Sequence, residues 1–337
     1  RTVHPRRILI IELWGIGDLV IMSAILKPLK DRYPYSEITL LSKTHGKELF
    51  GESGYIREFI EIDLPWTRFT KKYHWWSWDW KWLLATIRRL RKQKFDLIID
   101  ARGDIRNNLL SFLIGGRRRI GYDWTGGGYF LTDVLSRGYK NNHRIDAWMN
   151  ILNYLHITKE DYHPYLFISE RQSRFADNFF KEHHVNDRDL VIGIHPGAAI
   201  KTRCWPIERF ARLGEYIRDT HNARVIVFIE PDGYGEDFPM KSKFIKAKVT
   251  LQELAALIKK IDILVCNDSG TMHIATAVAT PLIAIFGPGD AQGIGPFNNA
   301  EALVIQKDFT CRPCFDNCKY NRALCLDAVN TEEVIMA

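Results

Sequence analysis

Short apolar runs recur along this chain, and several of them lead into a polar or glycine-containing turn that is followed by a helical pattern. In the first half the runs are RILIIEL (7–13), ITLLS (38–42) and FDLIID (95–100). The second half repeats the arrangement, from LVIGIHPG (190–197) to IDILVCND (261–268). Alternation of strand and helix is typical of a parallel sheet covered by helices on both faces. The sequence therefore predicts an α/β protein built from two such halves.

The two halves meet at DYHPYLFISE (161–170), where the alternation pauses. A chain of 337 residues exceeds one ordinary core and suits two domains. We expect these domains at residues 1–165 and 166–337. Because ligands of parallel sheets bind beyond the carboxyl ends of the strands, the cleft between the halves is the expected ligand site.

Hydropathy and charge indicate where in the cell this protein is expected and which partners it favours. No apolar stretch reaches the length of a membrane-spanning helix, and Glu12 and Asp18 interrupt the first of them. The segment RTVHPRRILIIELWG enters a strand directly and does not resemble a signal peptide, so we expect a cytoplasmic protein. The net charge of +7 favours a polyanionic partner, such as nucleic acid, an anionic membrane leaflet or a phosphorylated glycan.

Tryptophans and basic residues are concentrated in one part of the first half. YHWWSWDWKW (73–82) holds five tryptophans, and a basic helical pattern covers residues 80–94. These side chains either form a solvent-exposed helix face or contact lipid headgroups and sugars. Tryptophan and arginine are enriched at such contacts. Nucleic acid is disfavoured because no recognised nucleic-acid motif accompanies them. Arg88, Arg89 and Arg102 are the candidates for contact with a glycan or lipid-linked acceptor.

The turn GIGD (15–18) follows the first apolar run. Val20 stands at the third glycine position of the dinucleotide fingerprint, so support for a nicotinamide site is weak. Asp18 has two interpretations that the residues alone do not separate. It either caps the following helix, a common role of aspartate, or acts as a general base towards a sugar hydroxyl.

Two strand-end segments in the second half suit a diphosphate. In HPGAAIKTRCWP (195–206), small residues allow close approach of the backbone to an anion, and Lys201 and Arg203 add positive charge. In CNDSGTMHIATA (266–277), the start of a helix offers free N–H groups. A bare carboxylate would repel phosphate there, so we expect Asp268 to cap the helix, while the next three residues face the phosphates.

Three stretches of the chain together resemble glycosyltransferase family 9, the heptosyltransferases of bacterial lipopolysaccharide assembly. They are IIELWGIGDLVIMSAILKPLKDRYP, HPGAAIKTRCWPIERFARL, and NDSGTMHIATAVATPLIAIFGP with CRPC after it. Their order and spacing match over nearly the whole length. The resemblance implies a GT-B architecture, with an acceptor-side and a nucleotide-sugar-binding Rossmann-like domain. It also implies transfer of heptose from ADP-heptose without a metal.

By the same resemblance, Asp18 is the catalytic base, and Arg203 replaces a phosphate-binding lysine while keeping its charge. His273 is either a core histidine or a donor towards the nucleotide-sugar. Glu230, in FIEPDG, is a candidate although that segment lacks the family's usual small-residue turn. The candidate donor-binding residues are His195, Gly197, Ala198, Lys201, Arg203, Glu230, Asp268, Ser269, Gly270, Thr271 and His273.

Four of the six cysteines are clustered within residues 311–325, at Cys311, Cys314, Cys318 and Cys325. Zinc or iron–sulfur ligation, a reduced packed cluster and disulfides all remain open, with disulfides disfavoured in the cytosol. The spacing differs from paired CxxC knuckles, and we assign no metal ligands and no cofactor.

The sequence thus predicts an inverting glycosyltransferase that moves a sugar, heptose from ADP-heptose, to a hydroxyl of a lipopolysaccharide core or related glycan. Peripheral contact with an anionic membrane is expected, and nucleic acid is not. Two alternatives compete with this prediction. One is an NAD-linked Rossmann oxidoreductase, and the other is a non-catalytic nucleic-acid-binding protein that uses the basic face and the cysteine cluster.

Overall fold

The computed structural model describes residues 4–67, 78–136, 143–158, 162–231, 233–236, 238–239, 244–314, 318–320 and 322–337. The chain divides into two compact units, Arg1–Tyr162 and His163–Ala337, called below the N-terminal and C-terminal units. Each unit contains a six-stranded sheet in which every strand pairing is parallel.

The N-terminal unit alternates strands and helices along the chain. Its strands are β1 (Arg7–Glu12), β2 (Glu37–Ser42), β3 (Glu58–Glu61), β4 (Leu97–Asp100), β5 (Arg118–Gly121) and β6 (Asp133–Val134). Its α-helices are α1 (Ile16–Met22), α2 (Leu26–Arg32), α3 (His45–Phe50), α4 (Trp80–Lys92), α5 (Ile105–Ile114) and α6 (Arg144–Tyr154). The strand order across the sheet is β3-β2-β1-β4-β5-β6.

The C-terminal unit repeats this plan. Its strands are β7 (Val191–His195), β8 (Arg224–Phe228), β9 (Ile245–Ala247), β10 (Ile263–Asn267), β11 (Leu282–Phe286) and β12 (Ala302–Gln306). Its α-helices are α7 (Glu170–Glu182), α8 (Ile207–His221), α9 (Leu251–Ile258), α10 (Gly270–Ala277), α11 (Ala291–Ile294), α12 (Leu324–Asp327) and α13 (Thr331–Met336). The strand order is β12-β11-β10-β7-β8-β9.

In both sheets the chain first adds strands on one side of the first strand of the unit and then continues on its other side. The chain moves outwards from β1 through β2 to β3, then returns to the other side of β1 as β4. In the second sheet, β10 pairs with β7 in the same way. Loops beyond the carboxyl ends of the two strands at such a switch point separate and leave a crevice. The structure therefore predicts one crevice beyond β1 and β4 and another beyond β7 and β10.

The apolar runs explain why these segments are central strands. Five of the six residues of β1 are buried, and the strand pairs in register with β2 from Arg7↔Glu37 to Glu12↔Ser42. Strands buried on both faces are continuously apolar, as RILII and LVIGI are. The α/β prediction is confirmed, and none of the described helices is long and apolar enough to cross a membrane.

The amphipathic helix expected over residues 80–94 is α4. The Asp79 carboxylate caps it by accepting a hydrogen bond from the Trp82 N–H at 2.9 Å. Leu83, Ile87 and Leu90 form its buried stripe. Trp75 and Trp76 of the tryptophan-rich stretch fall within residues 68–77, outside the described residues, and so do the basic residues Arg68, Lys71 and Lys72.

Trp205 lies in the centre of the C-terminal core. Its side chain is fully buried, and its indole Nε1–H donates to the Val329 carbonyl at 2.9 Å. Its ring packs edge-on against Phe210, with 4.9 Å between centroids. The indole thus links the segment after β7 to the loop before α13.

We predict that Trp205→Ala lowers the free energy of unfolding of the C-terminal unit by about 3–5 kcal/mol, the cost of a large-to-small change at a buried aromatic. Urea titration followed by circular dichroism measures this change. Trp82→Ala is the matched control because the side chain of Trp82 is 42% exposed on α4. Equal midpoints for the two variants would contradict the assignment of Trp205 to the core.

Candidate active site

Asp18 lies beyond the carboxyl end of β1, in the first turn of α1. The residue at the N-cap position is Gly15, whose extended backbone starts the helix three residues earlier than an aspartate cap would. The interpretation of Asp18 as a simple N-cap is therefore wrong. Its side chain is 26% exposed, so the carboxylate remains accessible to a ligand at the switch point.

Two arginines hold the Asp18 carboxylate. Arg102, which follows β4, places Nη1 3.2 Å from Oδ1, and Arg144, the first residue of α6, places Nε 3.4 Å from the same oxygen. The Arg102 guanidinium also lies over the ring of Trp14, with Cζ 4.3 Å from the ring centroid. Two cations on separate elements therefore hold this carboxylate in one position. Arg102 was predicted for this region, whereas Arg144 was not.

Buried acids lie beneath this group. The Asp100 carboxylate accepts hydrogen bonds from the Arg102 N–H at 2.7 Å and from Asn107 Nδ2 at 2.7 Å. Burial nevertheless raises the pKa of Asp100 to about 6. Burial and the negative charge of Asp18 raise the pKa of Glu12 to about 8, against the lowering effect of the two arginines. Burial thus raises the pKa of both acids above the usual range of a carboxyl group.

The other acceptor-side candidates lie elsewhere on the unit. Arg88 and Arg89 are exposed on α4. Arg89 Nη2 lies 3.2 Å from Oε1 of Glu58, the first residue of β3. First residues of parallel strands lie at the edge of the sheet opposite to their carboxyl ends. The structure therefore brings Arg102 to Asp18 but places Arg89 at the opposite edge of the sheet.

In the C-terminal unit, three of the predicted residues form a hydrogen-bonded group. His195, the last residue of β7, places Nε2 3.2 Å from Glu230 Oε1 and 3.2 Å from Thr271 Oγ1. His195 is buried, and its Nδ1 has no hydrogen-bond partner within the described residues. Gly197 explains the closeness of Glu230, because a Cβ at Gly197 would lie 2.4 Å from Glu230 Cγ. A side chain at position 197 would displace the acid.

Asn267 fixes the turns around this group, and the sequence analysis did not identify it. Its Oδ1 accepts the Trp205 N–H at 2.9 Å, and its Nδ2 donates to the Pro196 carbonyl at 2.7 Å. The side chain is fully buried at the end of β10. One amide therefore joins the turn after β7 to the segment that carries Arg203. The only available signal was an asparagine directly after an apolar strand.

Arg203 and Asp268 form an ion pair, with Nη1 3.4 Å from Oδ2. Arg203 ends a 3-10 helix (Lys201–Arg203), and Asp268 directly precedes α10. Asp268 was expected to cap α10, but the N-cap residue is Ser269. The Ser269 side chain makes no capping bond, and its Oγ is buried without a partner in the described part of the chain. This pairing offsets the negative charge that would otherwise repel a phosphate.

The remaining predicted donor residues surround the same strand ends. Ala198 follows Gly197 after β7, and Lys201 is exposed at the start of the 3-10 helix. Gly270 and Thr271 form the first turn of α10. His273 is buried in the same helix. These positions lie beyond the carboxyl ends of β7 and β10, at the switch point of the second sheet.

The four clustered cysteines form no disulfide in the structure. All six cysteines are free, and no group of three or more histidine, cysteine or acidic side chains in the described ranges could hold a metal ion. Burial and the neighbouring thiols of Cys318 and Cys311 raise the pKa of Cys314, so these thiols lie near one another.

The chain is similar to known glycosyltransferases in sequence and in fold. Residues 83–324 match glycosyltransferase family 9 (heptosyltransferase). Lipopolysaccharide core heptosyltransferase OpsX of Haemophilus influenzae is 26% identical to the chain, over 91% of this chain and 88% of that protein.

Solved structures share the fold. A glycosyltransferase family 9 protein from Veillonella parvula has a TM-score of 0.83 and 24% identity, and it covers 98% of this chain and 96% of its own. E. coli heptosyltransferase WaaC with ADP has a TM-score of 0.72 and 17% identity, with 98% of each chain covered. The neighbours confirm the GT-B architecture. Since the family match spans most of the sequence, the chain belongs to glycosyltransferase family 9, the heptosyltransferases.

Proposed function

We propose that this glycosyltransferase transfers heptose from ADP-heptose to a sugar hydroxyl of a lipopolysaccharide core, with inversion and with Asp18 as the general base. The observation that carries the proposal is the position of Asp18. Its carboxylate is partly exposed beyond β1 and held by Arg102 and Arg144. The similarity to a lipopolysaccharide core heptosyltransferase supports the choice of sugar and acceptor.

In the proposed reaction, Asp18 takes the proton of the acceptor hydroxyl as that oxygen attacks the anomeric carbon of the heptose. The bond between this carbon and the diphosphate oxygen breaks, and ADP leaves with the electron pair. A single displacement inverts the configuration of the anomeric carbon. Arg102 and Arg144 keep the base in place, and their positive charge attracts an anionic acceptor.

The leaving diphosphate requires positive charge in the C-terminal unit. Arg203, Lys201 and the N–H groups at the start of α10 provide it, the electrostatic stabilisation that usually lowers such barriers most. The Asp268 ion pair orients Arg203. An arginine has five N–H donors, so it binds a carboxylate and a phosphate together. Glu230 and His195 supply hydrogen-bonding groups for the nucleoside or the sugar.

We also propose that α4 attaches the enzyme to an anionic membrane surface. Trp80 and Trp82 are exposed in its first turn, and Arg88, Arg89 and Lys92 are exposed along the rest of it. Tryptophan is enriched at the depth of lipid headgroups, and each basic residue near an anionic leaflet contributes about 1 kcal/mol. A lipid-linked acceptor would be reached at such a surface.

Asp18→Asn should lower the turnover number by roughly 10²- to 10⁴-fold at saturating substrates, the range for loss of a general base. Affinity for ADP should change little because the donor groups lie in the other unit. Initial rates of ADP release and calorimetric titration of ADP measure the two quantities. Asp31→Asn, at an exposed ion pair on α2, is the matched control. Near-normal turnover in folded Asp18→Asn would exclude the role as base.

Arg203→Ala should weaken ADP binding about 10- to 150-fold, the range for a lost charged hydrogen bond. Part of this loss comes from the Asp268 carboxylate, which the change leaves uncompensated. Adding Asp268→Asn to Arg203→Ala should therefore restore some of the affinity. Arg212→Ala, at an exposed position of α8, is the control. Unchanged ADP affinity in Arg203→Ala would remove Arg203 from the pocket.

Changing Arg88, Arg89 and Lys92 together to glutamate should abolish sedimentation with phosphatidylglycerol vesicles, because attraction to the anionic surface becomes repulsion. Arg91 is left unchanged because its Nη1 donates to the Leu113 carbonyl at 3.2 Å. The control makes the same change on α7, at Arg171, Arg174 and Lys181. ADP binding should survive in both. Equal vesicle binding by the two variants would mean that the basic residues of α4 only face solvent and do not contribute to membrane binding.

A further inference from the structure

Glu12 is a buried carboxyl group that the proposed reaction leaves unused. It is the last residue of β1, the central strand at the first switch point, and it is 2% exposed. Its Oε1 accepts the Trp14 N–H at 3.1 Å, and Trp14 in turn lies beneath the Arg102 guanidinium. A carboxyl group taken out of water is costly when charged unless it is fully paired, so this position needs a physical explanation.

The charged groups around Glu12 come from each element that meets at the switch point. Asp18 from α1 is negative, while Arg102 from the loop after β4 and Arg144 from α6 are positive, and all three act on Glu12. Both arginines already hold Asp18, at 3.2 and 3.4 Å. A second carboxylate here would compete with Asp18 for the same two guanidinium groups. Asp100 also acts on Arg102, from the end of β4.

We propose that Glu12 and Asp18 share one proton at neutral pH and that Glu12 holds it, so that both arginines remain paired with Asp18. The proton resides on Glu12 because Glu12 is 2% exposed and Asp18 is 26% exposed, so water and the arginines stabilise the charge on Asp18. The elevated pKa of Glu12, about 8, agrees with this distribution. Two nearby carboxyl groups generally titrate as a pair in this manner.

The shared proton determines what happens at high pH. Above about pH 8 Glu12 ionises, and its carboxylate then draws Arg102 and Arg144 away from Asp18. The general base loses its fixed position, so the reaction slows. This consequence rests on the proposed role of Asp18 as the base, whereas the protonation of Glu12 itself does not.

The first experiment compares pH profiles of kcat/KM. In the wild-type protein the value should fall above pH 8, approaching about tenfold per pH unit, as expected for one essential protonated group. Glu12→Gln keeps a neutral side chain of the same shape, so it should retain activity at pH 7 within about threefold and lose the decline at pH 8. Glu61→Gln, at the exposed last residue of β3, should leave the profile unchanged.

Two outcomes of this experiment would overturn the proposal. One is a Glu12→Gln protein that is folded but inactive at pH 7, which would mean that the reaction needs the Glu12 carboxylate. The other is an alkaline decline that persists unchanged in Glu12→Gln, which would assign it to another group.

The second experiment needs no turnover, so it separates this proposal from the role of Asp18 as the base. In wild-type protein labelled with ¹³C at glutamate carboxyl carbons, one signal should titrate near pH 8. In Asp18→Asn its midpoint should move to lower pH, because the neighbouring negative charge is gone. This measurement does not depend on whether Glu12→Gln folds. A wild-type midpoint at pH 4–5 for every glutamate would contradict the proposal.

Thermal unfolding gives a third, independent result. The pKa of Glu12 is raised on folding, so its contribution to stability is fully present below about pH 4.5 and is lost as the pH rises to about 8. The Tm of the wild-type protein should therefore fall by several degrees relative to that of Glu12→Gln between pH 5 and 8. A constant difference in Tm over this interval would count against a protonated Glu12.

Discussion

Both halves of this enzyme depend on one constraint, the reversal of winding beside the first strand of each parallel sheet. Parallel strands align all their carboxyl ends at one edge, and the reversal separates two neighbouring loops at that edge. In the N-terminal unit these loops carry Asp18 and Arg102. In the C-terminal unit the residues at this edge are His195 and Asp268. The same topology therefore produces two sites from unrelated side chains.

The two sites differ in the arrangement of their charged side chains. At the first, two guanidinium groups surround one accessible carboxylate, with the buried acids Glu12 and Asp100 nearby. At the second, a carboxylate is itself buried and serves one arginine. The first arrangement suits a group that accepts a proton, while the second suits the capture of an anion that arrives already charged. At the second site the side chain of Asp268 is 3% exposed and that of Arg203 is 20% exposed, so the arginine is the member of this ion pair that can face a ligand.

Local patterns made much of this architecture predictable. The strands follow from apolar runs such as RILII, and α4 follows from the spacing of Leu83, Ile87 and Leu90. Asp18 and Arg203 became candidates because each lies in a segment after a strand, and the resemblance to glycosyltransferase family 9 implied their roles. Contacts between distant segments were not predictable in this way. Arg144 meets Asp18 across 126 residues of chain, and no periodicity marks it. The raised pKa of Glu12 depends on burial and on charges that only the folded chain brings together.

The side chain of Asn267 has a thermodynamic consequence for the loop that carries Arg203. Its amide holds the Trp205 N–H on one side and the Pro196 carbonyl on the other, in a fully buried position. The loop therefore loses its conformational entropy when the protein folds rather than when a nucleotide arrives. Aspartate could not donate to the carbonyl, and leucine could serve neither partner. The folded core thus fixes the conformation of the loop that carries Arg203, and binding of a diphosphate does not have to order it.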